Sequence, residues 1–157
     1  MPSYPEGSKE RDARFMGLAI DLARKAEQAG EVPIGAILID GDEVIGEGFN
    51  SQIGTCDPTS HAEIVALRDA AQRRGNYRLS GAELFVTLEP CAMCAGAMIH
   101  ARISRLVFGA EDPKSGAAGS MYSIPTDPRL NHRIAVVAGV LAADCATFLR
   151  RFFENRR

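Results

Sequence analysis

The stretch AELFVTLEPCAMCAGAMIHARISRLVFGA, residues 82–110, decides the fold. AELFVTL and SRLVFGA are apolar runs of strand length, and the segment between them, rich in Ala, Met and Ile, has the length of a helix. Two strands joined by a helix make a crossover unit, which is right-handed in nearly every known case and lays its strands parallel. Pro90 is expected as the first helical residue, because its missing N–H would be unpaired there in any event.

On the N-terminal side, Phe15, Leu18, Ala19, Leu22 and Ala26 mark one face of a helix that stops at Gly30. PIGAILID (33–40) is a continuous apolar run, and Asp40-Gly41-Asp42 turns it into EVIGEGFN (43–50). This predicts a hairpin whose first strand is buried on both faces. A further helix opens at Ser60 and runs to about Gly75, with Ile64, Leu67 and Ala71 on one side. On the C-terminal side, RIAVVAG (133–139) is a fifth strand, and Leu141, Cys145, Phe148, Leu149 and Phe152 stripe the last helix. The order predicts an α/β layered domain with a five-stranded mixed sheet and helices on both faces. Residues 1–9 read as a flexible tail and 10–157 as a single domain. The segment 111–132 is long and rich in Gly, Ser and Pro, a composition that goes with a functional loop.

The formal net charge of −2 demands no polyanionic partner, so any nucleic-acid contact must come from local basic patches. The N-terminal residues carry no apolar export signal, and the longest apolar run, 134–143, is about half of what spans a bilayer. A soluble, reducing compartment, the cytoplasm, is the expectation for the four cysteines, and there a C-x-x-C is more often metal-binding or redox-active than structural.

Two short patterns carry chemistry. PTSHAEIVAL (58–67) sets His61 and Glu63 two positions apart, although residues two apart do not share a helix face. A bland reading exists: Ser60 and Glu63 form S-x-x-E, a capping box. Thirty residues later Cys91 and Cys94 lie three apart at a helix start, where the amide dipoles favour thiolates. One histidine and two cysteines make a three-ligand zinc set with a fourth corner open for water, whose pKa on the metal falls to about 7. Glu63, kept off the metal, takes the proton from that water and passes it to a ring nitrogen, and ammonia leaves.

The H-x-E…P-C-x-x-C pattern, HAE and PCAMC here, resembles the zinc-dependent cytidine and deoxycytidylate deaminase superfamily. EVPIGAIL, DPTSHAEIVALR, NYRLSGAELFVTLEPCAMCAGAMIHARISRLVFGA, KSGAAGS and LNH resemble the bacterial tRNA-specific adenosine deaminases over most of the chain. The resemblance implies a three-layer α/β/α cytidine-deaminase-like fold, one zinc per subunit on His61, Cys91 and Cys94, and Glu63 as proton shuttle. It further implies Asn50 and the Ala62 backbone against the base, a homodimer, and wobble adenosine of a tRNA anticodon stem-loop as substrate, converted to inosine. Phe49 stands where many relatives carry Trp.

For RNA contact, the closing RRFFENRR combines arginines with aromatics, as single-stranded loops require. Phe153 and Arg156 are the candidates there, with Lys114 and Ser115 of the long loop and the Asn131–His132 pair. Nothing reads as a double-stranded DNA or membrane module. Rival readings remain open at this level: a thioredoxin-like pair, or a closed structural zinc site with Cys56 or Cys145 as fourth ligand. Cys145 reads as a small core residue and His100 as a hydrogen-bonded helix-terminal histidine. A free-base or nucleoside deaminase acting on guanine or cytosine would share the chemistry, and a silent RNA-binding subunit would lack the carboxylate that Glu63 retains.

Overall fold

The computed structural model describes residues 8–156. The elements are α1 (Lys9–Gln28), β1 (Gly35–Asp40), β2 (Glu43–Phe49), α2 (Gln52–Thr55), α3 (Ala62–Arg74), β3 (Glu83–Leu88), α4 (Ala92–Ala101), β4 (Arg105–Ala110), β5 (Ala135–Val137) and α5 (Ala142–Glu154). They form a five-stranded sheet of order β2-β1-β3-β4-β5, in which β1 runs antiparallel to β2 and β3 while β3, β4 and β5 are parallel. The mixed sheet is therefore as expected, and the crossover read from residues 82–110 is the parallel β3–α4–β4 unit.

The period of two along each strand sorts side chains into two cores. Leu84, Val86, Leu106 and Phe108 pack against Ala66 and Ala70 of α3 and Met98 of α4, while Phe85 and Val107 face Phe15, Met16 and Ala19 of α1 and Cys145 of α5. β1 is buried from Gly35 to Ile39 because α1 covers one face and α3 the other, which explains its unbroken apolar reading. Two glycines of β2 set how closely α3 approaches. A methyl group at Gly48 would lie 2.4 Å from the Ala62 carbonyl oxygen, and one at Gly46 2.6 Å from that of Ala66.

Element boundaries depart from the sequence reading in instructive ways. Of the expected tail, residues 1–7 lie outside the described residues, but Ser8 caps α1 by accepting the Arg11 amide and Lys9 is already helical. The α3 helix starts at Ala62 with His61 as N-cap, so Ser60 does not open it. The Ser60 hydroxyl donates instead to Asp57, and no capping box forms. Pro90 is likewise outside its helix, since Cys91 is the N-cap of α4. The one-turn helix α2 was not legible in the sequence pattern.

At the N-terminal ends of β3 and β4, Arg11 and Arg105 grip the buried Glu83 at 2.9 and 2.7 Å, and Arg105 also pairs with Asp12. This ion cluster ties α1 to two central strands at the end of the sheet remote from the helix N-termini described next.

Candidate active site

β2 and β3 run in the same direction, so α3, reached through α2, and α4 both begin beyond the same end of the sheet. His61 and Cys91 are the two N-caps, both with extended backbones (φ −69°, ψ 153° and φ −77°, ψ 177°). A residue in that position lies outside the helical screw and projects its side chain ahead of the first turn. Hence His61 and Glu63, two apart, need share no helix face. The His61 ring makes no bond to its own helix, and the Cys91 sulfur turns to Cys94 and His61.

They face each other. His61 Nδ1 lies 3.4 Å from Cys94 Sγ and 3.6 Å from Cys91 Sγ, and the three donor atoms all fall within 4.8 Å of one another. A tetrahedral zinc with ordinary Zn–N and Zn–S bonds separates nitrogen from sulfur by about 3.6 Å. The spacing and the donor chemistry both fit. Among the described residues, these three alone form such a cluster. Cys56 is the exposed C-cap of α2, and Cys145 is buried on α5 beside Gly109, across the sheet. Neither completes a closed four-ligand site.

Protons are held unevenly across the cluster. A hydrogen bond shared with Cys94 and a second with His61 pull the Cys91 thiol down to about 4, whereas Cys94, the donor of that pair, is pushed up. The hydrogen bond to Cys91 raises the His61 imidazole against the effect of its burial. Glu63 sits in the first turn of α3, buried and outside the donor set. Burial pushes its carboxyl up to about 7, only partly offset by its own backbone amide and by His61. A carboxyl poised there exchanges protons in both directions near neutrality.

Asn50 follows β2 directly, and its Oδ1 accepts the Ala62 amide at 2.8 Å. That satisfies one of the free N–H groups of α3 and holds its first turn in place. The amide NH2 of Asn50 has no protein partner among the described residues and is not sealed from solvent. Two buried glutamates that sequence reasoning passed over frame this centre. Glu31 accepts the Ile53 and Gly54 amides at 3.0 and 2.8 Å, fixing α2. Glu89, between β3 and Pro90, receives the amides of Asp112, Ala118 and Ser120 and the Ser120 hydroxyl. Burial would raise the Glu89 carboxyl, but those donors outweigh it and keep it below the usual range. The available signal was a lone carboxylate between an apolar strand and a helix.

The other sequence-derived residues are dispersed. Lys114 and Ser115 are exposed on the loop that Glu89 holds. Asn131 accepts from Arg102, the C-cap of α4, and His132 Nε2 lies 2.7 Å from the Ile103 carbonyl. That pair sits at the other end of α4 from Cys91, about 15 Å along a helix of ten residues. Phe153 is exposed on α5, edge-on to Phe152, and Arg156 stacks over the Phe152 ring. His100 is exposed on α4, and among the described residues its ring has no hydrogen-bond partner of the kind expected.

Three ligands with one free corner, and a titratable carboxylate beside them, are the plan of a hydrolytic zinc centre. Residues 9–110 match the cytidine and deoxycytidylate deaminase zinc-binding region, and the chain belongs to that family of zinc-binding deaminases. It is 52% identical to the tRNA-specific adenosine deaminase of Haemophilus influenzae, over 94% of this chain and 86% of that one. A solved structure from studies of A-to-I editing by tRNA:A34 deaminases superposes with a TM-score of 0.84 at 44% identity, covering 87% of this chain and 99% of the other. The guanine deaminase of Nitrosomonas europaea superposes with a TM-score of 0.78 at 25% identity, covering 97% and 86%.

Proposed function

We propose that this enzyme hydrolyses the wobble adenosine of a tRNA anticodon to inosine. The observation that carries the chemistry is geometric: His61, Cys91 and Cys94 bring three donor atoms within 4.8 Å of one another, and the buried carboxyl of Glu63 stands beside them outside the donor set. Zinc held by His61, Cys91 and Cys94 would supply Lewis acidity, making water nucleophilic near neutral pH. Glu63 takes a proton from the attacking water and delivers it to N1 of the purine as the C6–O bond forms. The ionised carboxylate then takes the proton of the new C6 hydroxyl and gives it to the departing amine as the C6–N bond breaks, so that adenosine and water become inosine and ammonia. Asn50 donates its free NH2 to the base while its oxygen keeps the Ala62 backbone in place against the ring.

The choice of tRNA is supported by the likeness to tRNA-specific adenosine deaminases, at higher identity than to the guanine deaminase. A base extruded from a single-stranded loop suits a site built from helix starts and loops. Beyond the base, the residues proposed to meet the tRNA are Lys114 and Ser115, on the loop bonded to the Pro90 carbonyl, with Phe153, Arg156, Asn131 and His132. A homodimer is part of the proposal: Ile64, Leu67 and Ala71 of α3 and Ala97 of α4 line an open cavity of about 370 Å³, with Arg68 and His100 also in its lining. The cysteines among the described residues are all free, in keeping with a cytoplasmic setting, and no helix there is long and apolar enough to cross a membrane.

The test is ammonia release from an anticodon stem-loop bearing adenosine at the wobble position, against free adenosine, guanine and cytosine. Turnover of the stem-loop is expected. Preference for guanine would move the enzyme to the free-base deaminases, the reading that the Nitrosomonas likeness favours.

A further inference from the structure

Glu89 is 3% exposed and takes no part in the chemistry above, yet it gathers four donors from one loop. Oε1 accepts the Asp112 amide at 3.1 Å and the Ser120 hydroxyl, while Oε2 accepts the amides of Ala118 and Ser120, each at 3.0 Å. The loop is also tied to the residue that leads into Cys91, for the Ala117 amide donates to the Pro90 carbonyl at 2.8 Å. Gly116 completes the seat: a methyl group there would lie 2.3 Å from Glu89 Cδ and 2.5 Å from the Asp112 carbonyl oxygen. Lys114 and Ser115 are thus displayed at the tip of a loop whose two arms are clamped on one buried carboxylate.

We propose that Glu89 is a positioning residue. It holds residues 112–120 as a preformed wall beside the zinc cluster, so that substrate meets an ordered surface instead of ordering one on arrival. Loops with few apolar contacts open cheaply, and ordering them during binding weakens affinity without altering the chemical step. The role of the wall in receiving RNA rests on the tRNA reading above, whereas the clamp itself does not.

Glu89→Gln is the first variant. Its carboxamide turns the NH2 toward the side where Ser120 has a hydroxyl able to accept, which leaves the Asp112 amide unpaired. Gly116→Ala attacks the same seat from the loop side and removes no charge. Both proteins are loaded with zinc, and metal content, amide exchange and stem-loop kinetics are measured.

We expect one zinc per chain retained and exchange at 112, 118 and 120 accelerated about tenfold, with β4 amides unchanged. KM for the stem-loop should rise about tenfold while kcat stays within about threefold. Ser120→Ala, which removes a single donor, should move in the same direction by less. Unchanged exchange, an unmoved KM despite a loosened loop, or loss of zinc together with kcat would each overturn the positioning role. If the wild-type enzyme turns over only a free base, the tRNA reading fails. KM is then read on that base, and an unmoved value overturns the positioning role.

Discussion

Asn50 and Ala62 are joined by a 2.8 Å hydrogen bond from the Ala62 amide to the asparagine side-chain oxygen, which fastens the end of β2 to the first turn of α3. One side chain thereby does two jobs that different substitutions separate. Asn50→Asp keeps an acceptor for the buried amide but loses the NH2 donor. It should fold and bind zinc normally while losing substrate affinity by about tenfold, equivalent to about 1.4 kcal/mol. Asn50→Ala strips both and leaves the amide unpaired, so thermal unfolding should show a further loss of about 1–3 kcal/mol.

Glu63→Gln preserves the shape of the first turn and removes the proton carrier. Zinc content and stem-loop binding should remain, and single-turnover inosine formation should drop by about 10²–10⁴. Sustained turnover in this variant would remove the shuttle.

The raised carboxyl of Glu63 also has a sign in stability. With a folded-state value of about 7 against an ordinary 4.5, the native state holds a proton that the unfolded chain has released. Stability of the metal-stripped protein should be full below about 4.5 and fall as pH rises towards 7, by about 3 kcal/mol relative to Glu63→Gln. Urea titrations of the two proteins across that window measure the difference, and parallel curves would contradict it.

Metal content discriminates the cysteines. Cys94→Ser should lower bound zinc well below one per chain, because it removes a sulfur from the only such cluster among the described residues. Cys56→Ser should bind zinc like the parent, since Cys56 is an exposed cap away from the cluster.

Glu83→Gln tests the opposite end of the sheet. It leaves the buried Arg11 with only the exposed Asp42 as a charged partner and weakens the hold on Arg105. Removing one member of a buried pair costs about 3–5 kcal/mol, so a lower midpoint in denaturant is expected. Zinc stoichiometry and kcat of the folded fraction should be unaffected.

The elements were largely legible because their signals are local. The unbroken apolar run of β1 meant burial on both faces, and the stripe of Phe15, Ala19 and Leu22 meant a helix on the sheet. What misled were the capping signals at Ser60 and Pro90. Both are sound local preferences, but Asp57 captures the Ser60 hydroxyl, and each helix begins one or two residues later. The shift matters, because it turns His61 and Cys91 from members of a first turn into N-caps that can reach each other.

The sequence by itself determined the mixed α/β architecture, since its signals are local, and its motifs offered His61, Cys91 and Cys94 as donors with Glu63 beside them while leaving a fourth ligand from Cys56 or Cys145 open. Only the tertiary structure decided that the donors stand within bonding reach of one ion, that Glu63 is buried at about 7, and that Glu31 and Glu89 anchor the flanking segments. Those properties depend on groups 20 to 30 or more residues apart meeting where water is excluded, and proximity and burial of that kind are written in packing, not in local periodicity.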